Sequence, residues 1–512
     1  MRRTLSKSLG RSQGFTLLVS LFLLGTPSVV SAQNLKIDIS PDRVSTGIDI
    51  PFERIGTVQP KSTYQTMGKY WTIGCETVDR NYTIYNEYKA YLAPLGIRKA
   101  RFQCGWAKTE RVKGHYDFKW LDDIVNDMGS QNIEIWAELS YGNPIYEGGG
   151  NINLSGGLPT SQKALKAWDD WVEAMVTRYK GKIHEWEIWN EPDLNKDNTP
   201  DQLAAFNLRT AKIIKRIDPN SKIAALTLAS LKDSYIRGFL DFFKKNEALE
   251  LIDWISFHGY PQNPDMMYGS SIDKAKELIH QYSSSIKLRQ GESGCPSEYQ
   301  VKHHALNNYH WSELTQAKWF LRRMMGDMGH DIDDASIFSM MDMIYIWDAK
   351  NNKWDENIET TDMKDKYKFF NRFGLIRCDS MKRAEKIKQS YYAVQNTISV
   401  FDQPLVRVKE AQSSVSSSHA ITSFEYQNAV SKAKMLVMWD GSQIPADTYQ
   451  TQKAVVSIKE SDFKNPVWVD LLSGRVYKIS LDCWKKNGDI DMFEVPVYDS
   501  PVIIADRTSL PL

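Results

Sequence analysis

The 512-residue chain is 42% hydrophobic and 25% charged, which is the composition of an ordinary globular protein. Its 64 basic and 63 acidic side chains leave a net charge of +1, which favours neither nucleic acid nor an anionic membrane as a partner. The length allows two to four domains, and we expect two because a single barrel takes about 250 residues or more.

Residues 1–32 have the pattern of a secretory signal peptide. A basic start, Arg2 to Arg11, precedes an apolar run at residues 15–24 that is too short to span a bilayer. Small residues at Val30 and Ala32 then stand where a signal peptidase reads the chain. We therefore expect cleavage after Ala32 and a secreted or periplasmic protein. The residue directly after this point is Gln33 and not a cysteine, so no lipid membrane anchor is expected.

Five cysteines are widely scattered through the rest of the chain. They are Cys75, Cys104, Cys295, Cys378 and Cys483. The sequence has no CxxC pair and no zinc-ligand spacing, so neither a structural metal site nor a disulfide framework is indicated. We expect mostly buried free thiols, and the sequence also allows one disulfide bridge.

From residue 67 to 400, short apolar runs alternate with helical patterns. The runs lie at residues 71–75, 98–104, 133–139, 186–189, 223–228, 254–258, 286–290 and 336–340. Helices are predicted over residues 161–181, 201–217, 272–282, 312–328 and 383–399. Eight strands alternating with helices predict an α/β protein with a (β/α)8 TIM barrel. A doubly wound open sheet is the alternative, but residues 73–79 lack the glycine-rich loop that it needs after its first strand.

The pattern changes after residue 400. Short β-type runs separated by turn residues predict an all-β sandwich domain over residues 401–512, with "LLSGR" (471–475) as a hairpin turn. Residues 33–66 form a polar, irregular N-terminal segment, for which packing on this sandwich is one option. No low-complexity linker separates the two domains, so we expect them to pack together.

Candidate functional residues follow from the position of active sites in such barrels, at the carboxyl ends of the strands. Four of the predicted strands end on or near a carboxylate, namely Glu76, Glu138, Glu191 and Glu292. Past the predicted signal peptide, the sequence has no His-x-His on its first strand, no G-x-S-x-G and no H-E-x-x-H, so neither a metal, a cofactor nor a serine nucleophile is indicated. Two carboxyl groups without a metal suit glycosidic bond cleavage. Glu191 and Glu292 end strands on opposite sides of the barrel mouth and form the preferred pair.

Three motifs resemble those of a known group of enzymes. "WEIWNEPD", "ISFHGYP" and "RQGESG" are similar to motifs of the retaining glycoside hydrolases of clan A. The resemblance is closest to family 39-type, β-xylosidase-like enzymes, whose barrels carry an appended β-sandwich. It covers roughly residues 68–400. Its most specific part is an Asn-Glu-Pro followed about a hundred residues later by a glutamate on the seventh strand.

The resemblance implies a role for each matching residue. Glu191 would be the general acid/base and Glu292 the nucleophile. Asn190 would bind the 2-hydroxyl group of the sugar. Arg101 would stand beside the nucleophile, where its fixed positive charge keeps Glu292 ionised.

His258 and Tyr260 match a strand-6 pair that flanks the two glutamates, with Tyr260 orienting the nucleophile. The eighth strand departs from the clan pattern, which often places a tryptophan beneath the sugar. Met341, Asp342 and Tyr345 stand there instead, so the floor of the sugar subsite is left open.

Four more side chains near the predicted barrel mouth are candidates for substrate binding: Trp106, Tyr141, Asn143 and Trp347. Aromatic rings of this kind either stack on sugars or belong to the core. Residues 141–159 and 347–370 are predicted as long polar loops at the same face, where loops usually carry function. Such loops close off an exo-acting pocket or border an open cleft, and the sequence does not separate the two.

Together these features predict a secreted retaining glycoside hydrolase. It would cleave an oligosaccharide or polysaccharide by double displacement, as an exo-acting, β-xylosidase-like enzyme. The alternatives are an endo-acting glycanase of the same clan and a non-catalytic carbohydrate-binding barrel. The sugar, the linkage and the oligomeric state do not follow from the sequence.

Overall fold

The eight predicted apolar runs form the strands of a closed parallel barrel. The computed structural model describes residues 35–512, except 69, 155, 300–305, 307, 352, 355–362, 411 and 462, so the predicted signal peptide lies outside the described residues. A short strand, β1 (Glu53–Thr57), precedes the barrel. The barrel strands are β2 (Trp71–Gly74), β3 (Lys99–Gln103), β4 (Glu134–Leu139), β5 (Glu185–Ile188), β6 (Lys222–Leu228), β7 (Trp254–His258), β8 (Lys287–Ser293) and β9 (Ala335–Ile337). The predicted TIM-barrel fold is confirmed.

Helices follow most of the barrel strands. They are α1 (Tyr85–Tyr88), α2 (Leu92–Leu95), α3 (Trp106–Thr109), α4 (Lys119–Ser130), α5 (Gln162–Tyr179), α6 (Pro200–Ile217), α7 (Asp233–Lys245), α8 (Ser271–His280), α9 (Glu313–Gly329) and α10 (Gln389–Phe401), with 3-10 turns at Lys89–Tyr91, Pro192–Leu194, Leu249–Leu251 and Arg507–Ser509. Helix α5 begins and ends as its sequence predicts. The Ser161 side chain accepts a hydrogen bond from the backbone N–H of Ala164, and Gly181 takes a φ of +78° just after the helix.

Two predictions after the eighth barrel strand are wrong. The described parts of residues 347–370, predicted as a long polar loop, instead contribute to a three-stranded antiparallel sheet of β10 (Met343–Asp348), β11 (Lys353–Trp354) and β12 (Lys366–Asn371). Aromatic residues such as Tyr345 and Phe369 favour strands, and these two are cross-strand partners. The helix predicted over residues 383–399 begins only at Gln389, because β14 (Ala384–Ile387) pairs with β13 (Ile376–Cys378).

The lower part of the barrel interior is charged. Lys99 of β3 contacts Glu185 of β5 and Asp334, each at 2.8 Å. Arg289 of β8 contacts the same two carboxylates, and its guanidinium lies 3.6 Å from the ring centroid of Trp136. Alternation along a strand places every second residue inside, so Arg101 and Glu187 come one layer above Lys99 and Glu185. Arg101 and Glu187 therefore belong to a second charged layer, which lies nearer the barrel mouth.

The C-terminal part of the chain forms two antiparallel sheets, as predicted. Its strands are β15 (Leu405–Arg407), β16 (Ser413–Ser417), β17 (Ile421–Asn428), β18 (Lys434–Asp440), β19 (Gln452–Ile458), β20 (Pro466–Asp470), β21 (Arg475–Lys478), β22 (Trp484–Asn487), β23 (Ile490–Val497) and β24 (Val502–Asp506). The seven-stranded sheet has the order β1-β21-β20-β24-β18-β17-β15, and the four-stranded sheet has the order β16-β19-β23-β22. The hairpin predicted at "LLSGR" joins β20 to β21, and β1 pairs with β21.

The seven-stranded sheet is buried on both faces. On β18, Leu436 faces the core between the two sheets, whereas Val437 joins the apolar cluster of the barrel. Buried polar contacts cross the same boundary, since the Nζ atom of Lys318 on α9 lies 2.6 Å from a carboxylate oxygen of Asp499. The described chain from residue 35 onward belongs to one compact unit, so the barrel and the sheets pack directly together.

All five cysteines are free thiols, and four of them are buried, so the bridge left open by the sequence is not formed. Cys483 is half-buried. Within the described residues, no helix has both the length and the apolar character needed to cross a bilayer.

Candidate active site

The backbone turns sharply where β5 ends, and this turn presents Asn190 and Glu191 together. Regular strand alternation would send their side chains to opposite faces. Instead, Trp189 has a φ of +68° and Glu191 a φ of +44°. The left-handed conformation is unfavourable for such residues by about 1–2 kcal/mol each. Pro192 then begins a 3-10 turn, and the Glu191 N–H donates to the carbonyl of Thr227 at 2.9 Å.

The carboxylate of Glu292 is held by donors on both oxygens. Arg101 Nη1 donates to Oε1 at 2.6 Å, and the Tyr260 hydroxyl donates to Oε2 at 2.7 Å. The Nδ1 atom of His258 lies 3.6 Å from Oε2. Burial would raise the pKa of Glu292, but the charges of His258 and Arg101 and these hydrogen bonds outweigh it and hold that pKa below its usual value. The group is therefore a carboxylate near neutral pH.

Glu191 faces Glu292 across His258. Its Oε1 atom lies 2.8 Å from Nδ1 of the imidazole, and the tautomer decides which of the two donates. Burial opposes a charge on His258, but the negative charge of Glu292 and the bond to Glu191 raise the pKa of His258 overall. A carboxylate oxygen of Glu191 and one of Glu292 lie within 4.8 Å of each other.

Glu191, His258 and Glu292 have donor atoms close enough together to share a metal ion, and within the described part of the chain they are the group that does. The short contact between Glu191 and His258 already uses one donor of each residue. Only two carboxylates and one imidazole converge, and Arg101 and Tyr260 already donate to the Glu292 carboxylate. The arrangement therefore fits acid/base and nucleophilic chemistry, and we assign no metal to it.

Arg101 lies fully buried at the centre of the upper charged layer. Its guanidinium contacts four carboxylates: Glu76 at 3.0 Å, Glu187 at 2.7 Å, Glu292 at 2.6 Å, and Glu138. Burial works against its charge, yet the four carboxylates raise the pKa of Arg101 far above its usual value. For Glu76 and Glu138 burial is the largest effect, and it raises the pKa of each to about 8.

Glu187 is the member of this cluster that the sequence analysis missed as a site residue. It is fully buried and accepts hydrogen bonds from Arg101 Nε and from the Thr227 hydroxyl, at 2.7 and 2.8 Å. One signal could have found it: Glu185 and Glu187 alternate with Trp186 and Ile188 on a strand whose outer face must be apolar. Inward-pointing carboxylates in a barrel need a cation, and Arg101 is that cation.

Asn190 is fixed on both sides of its amide. Its Oδ1 atom accepts from Arg101 Nη2, and its Nδ2 atom donates to the Tyr141 hydroxyl, both at 2.8 Å. Tyr141 is itself buried, and the Arg80 guanidinium lies 4.7 Å from the centroid of its ring. Tyr141 thus belongs to the scaffold that orients Asn190. One amide hydrogen of Asn190 remains for a substrate hydroxyl.

Two predicted substrate-binding residues lie in the core. Trp106 has no exposed surface, and its indole N–H donates to a carboxylate oxygen of Glu110 at 2.6 Å while its ring stacks on Trp171. Asn143 is also fully buried, and its amide donates to the backbone carbonyl of Glu110 at 2.8 Å. Both side chains are thus engaged in contacts within the fold, and substrate binding by either of them stays a prediction. Trp347 is half-buried on β10, opposite Trp354 in the register.

Of the three residues at the eighth strand that are candidates for the floor of the sugar subsite, one lies near the barrel mouth. Asp342 is fully buried and is bound by Lys388 at 2.6 Å and Arg372 at 3.1 Å, and Met341 is also buried. Tyr345 is half-buried, with its ring 4.8 Å from that of Tyr82. An aromatic cluster therefore borders the carboxylate pair on this side. Its members are Tyr82, Tyr260, Phe338, Tyr345 and Phe373.

A family model matches part of the chain. Residues 104–290 match the model described as glycosyl hydrolases family 39, a span that holds Glu191, His258 and Tyr260 and ends just before Glu292. A β-xylosidase of Geobacillus stearothermophilus is 22% identical over 256 residues, which cover 45% of this chain and 50% of that protein. The β-galactosidase BgaA of Clostridium cellulovorans is 30% identical over 118 residues, 19% of this chain and 18% of that one. The chain thus spans half or less of the length of these relatives.

Solved structures share the fold. A family 39 glycoside hydrolase from Bacteroides cellulosilyticus superposes with a TM-score of 0.60 at 14% identity, over 88% of this chain and 83% of that one. A β-xylosidase from Caulobacter crescentus gives 0.54 at 14% identity, over 88% and 97%. The resemblance to family 39 predicted from the three motifs is confirmed.

Proposed function

We propose that this chain, a glycoside hydrolase similar to those of family 39, cleaves its substrate with retention of configuration through a covalent glycosyl intermediate on Glu292. The supporting observation is the pair of carboxylates, whose nearest oxygens lie within 4.8 Å of each other. Retaining enzymes place the two groups about 5–5.5 Å apart, and inverting enzymes about 6.5–9.5 Å apart to admit a water molecule. The pair in this barrel has the shorter spacing.

In the first step, a carboxylate oxygen of Glu292 attacks the anomeric carbon while Glu191 donates its proton to the departing oxygen. Glu292 suits attack because Arg101 and Tyr260 orient it and hold it ionised. In the second step, Glu191 takes a proton from water as the water oxygen bonds to the anomeric carbon, and the bond between that carbon and the Glu292 oxygen breaks. His258 keeps the Glu191 carboxyl in place through both steps.

An exo-acting, β-xylosidase-like activity is the substrate class that we propose. β-Xylosidases recur among the relatives in sequence and in structure. The aromatic cluster beside the carboxylates offers apolar surface to one face of a sugar ring. Monosaccharide release from the end of a xylo-oligosaccharide supports the exo assignment, and internal cleavage into shorter oligosaccharides would identify an endo-acting glycanase.

The nucleophile is tested with a panel of 2-deoxy-2-fluoro glycosides, beginning with the β-xyloside, followed by peptide mass mapping. We expect one label per chain, on Glu292, and none on the Glu292→Gln variant. A label on another residue would show that the nucleophile is misassigned. Oligosaccharide binding with no label and no hydrolysis by any member of the panel would favour the non-catalytic barrel.

The acid/base role of Glu191 is tested by replacing it with alanine. Glu191→Ala should lose little activity on an aryl glycoside with a good leaving group and much more on one with a poor leaving group. Azide should restore turnover, because a small anion can enter the space left by the carboxylate and attack the intermediate. Equal loss on all leaving groups without rescue would contradict the role.

Export of the protein is part of the same proposal. The pattern of residues 1–32 supports a secreted or periplasmic location. N-terminal sequencing of the mature protein from its native host should give Gln33 as the first residue. A mature chain that retains residues 1–32 would contradict export by this route.

A further inference from the structure

The cluster around Arg101 contains more acid than one cation can balance. Four buried carboxyl groups, of Glu76, Glu138, Glu187 and Glu292, contact a single guanidinium. Four negative charges beside one positive charge in a buried site would repel one another strongly. Some of these groups must therefore hold protons while Glu292 stays ionised.

Glu76 is the member whose surroundings fit a neutral acid. Its Oε1 atom accepts from Arg101 Nη1 at 3.0 Å, and the same nitrogen donates to Glu292 at 2.6 Å. Its Oε2 atom is buried and has no hydrogen-bond partner among the described residues. This oxygen lies against Gly74. A Cβ atom built on that glycine would collide with it and would stand 3.0 Å from the Ile337 carbonyl oxygen. A negative charge on Oε2 would therefore lack a hydrogen-bond donor of the kind that Oε1 has in Arg101.

Glu138 makes the opposite kind of contact. Its Oε2 atom accepts from Arg101 Nη2 and from Gln103, and its Oε1 atom accepts from the Ser140 hydroxyl. Donors on both oxygens favour the ionised form. Although burial raises the pKa of both acids to about 8, hydrogen bonding therefore assigns the proton to Glu76.

The groups that face Glu76 determine when it ionises. Burial raises the pKa of Glu76, Arg101 lowers it, and the negative charge of Glu292 raises it again. Cys75, Tyr88 and Tyr260 are also near enough to interact, but burial raises the pKa of each of them, so they remain uncharged near neutral pH. Glu292 is thus the neighbour whose charge changes during the proposed reaction.

We propose that Glu76 is a positioning residue that keeps a proton while Glu292 is ionised and releases it when Glu292 becomes a glycosyl ester. This inference rests on the proposed function and deepens it. In the first step, the bond between a Glu292 oxygen and the anomeric carbon forms as the bond to the leaving group breaks, and the proton that Glu191 gives to the departing oxygen leaves the negative charge on Glu191, which is not among the carboxylates that contact Arg101. The O–H bond of Glu76 then breaks, its proton goes to solvent, and the electron pair stays on the carboxylate beside Arg101. Hydrolysis of the ester reverses the exchange, so no net proton is gained or lost per turnover.

The consequence is that Arg101 faces the same number of negative charges before and after glycosylation. Its guanidinium can therefore keep its place, and Asn190, which accepts a hydrogen bond from Arg101 Nη2 at 2.8 Å, keeps its orientation toward the sugar. Without this exchange, the ester would leave the buried cation with one partner fewer.

The experiment counts protons released when the stable intermediate forms. The enzyme carries Glu191→Gln, which removes the proton of the acid/base residue, and it is mixed with 2,4-dinitrophenyl 2-deoxy-2-fluoro-β-xyloside, whose leaving group departs without needing a proton. Proton release is measured with a pH indicator at pH 7 in weak buffer, and labelling is measured by intact mass. We expect about one proton per labelled chain.

The same measurement is repeated with Glu76→Gln and with Glu138→Gln added to Glu191→Gln. Glu76→Gln should abolish the release, and Glu138→Gln, the matched control on the same guanidinium, should preserve it. Full labelling of the Glu191→Gln enzyme without proton release overturns the inference, even if the second variants do not fold. Release that persists with Glu76→Gln also overturns it and assigns the proton elsewhere, to His258 or Glu138. Failure of the wild type to label with any glycoside of the panel would instead refute the proposed function.

Discussion

Replacing Tyr260 with phenylalanine removes one hydroxyl group and little else. The ring packs against Phe338 and Phe373, with centroid distances of 6.0 Å in both cases, so phenylalanine retains the apolar contacts. The hydroxyl is the donor to Glu292 Oε2 at 2.7 Å. Its bond lowers the pKa of Glu292 because it stabilises the ionised form. The substitution should therefore raise that pKa.

The size of the shift follows from the strength of the bond. A hydrogen bond to a charged group contributes about 1.5–3 kcal/mol, and one pKa unit corresponds to about 1.36 kcal/mol. Loss of the hydroxyl should raise the pKa of Glu292 by about one to two units. Arg101 still donates to the other oxygen, which keeps the group ionised near neutral pH.

The assay is the pH dependence of kcat/KM on an aryl β-xyloside, whose acid limb reports ionisation of the nucleophile in the free enzyme. For Tyr260→Phe this limb should move to higher pH by about one to two units. Tyr85→Phe is the matched control, since Tyr85 also donates to a carboxylate, that of Asp127 at 2.6 Å on the outer helices. An acid limb that stays in place for Tyr260→Phe, or moves equally for Tyr85→Phe, would refute the reasoning.

Three further substitutions test the buried contacts by urea unfolding followed by tryptophan fluorescence. Arg101→Met should lower the free energy of unfolding by about 3–5 kcal/mol or more, since it leaves buried carboxylates without their cation, and a neutral effect would contradict the charge layer. Gly74→Ala should lower it by about 1–3 kcal/mol, because a Cβ collides with the Glu76 carboxyl group; unchanged stability would mean that this side chain moves freely. Lys318→Met should lower it by about 3–5 kcal/mol by leaving the buried Asp499 unpaired, and restoration by a second change, Asp499→Leu, would identify the pair as the cause.

The barrel could be predicted from the sequence because each of its strands is a short apolar run followed by a turn. The position of Glu191 and Glu292 at strand ends follows from the same pattern. Helix α5 could also be predicted, because Ser161 and Gly181 are residue types that favour the start and the end of a helix. Local chemistry of this kind is visible in the chain itself.

Other features depend on contacts between distant residues. The burial of Trp106 depends on Trp168 and Trp171 of α5, whose rings pack against its indole, and nothing in the neighbouring sequence distinguishes it from a surface aromatic. The inward orientation of Glu187 depends on Arg101, which comes from another strand. The sequence of residues 347–370 favours a loop because its many charged residues interrupt the alternation of apolar and polar side chains that would indicate β10 and β12. In each case the tertiary partner, and not local propensity, decides the outcome.

The strand order of the seven-stranded sheet has a consequence for how this protein can be divided. β1 comes from the segment before the barrel and pairs with β21, whereas the other strands of the sheet all follow the barrel. In topological terms the barrel is an insertion within the β domain, which is discontinuous in sequence. A single cut near residue 400 would therefore take β1 away from its sheet. Moving the catalytic barrel into another protein requires two cuts, one on each side of it, and the β domain left behind would need its first strand joined to the rest.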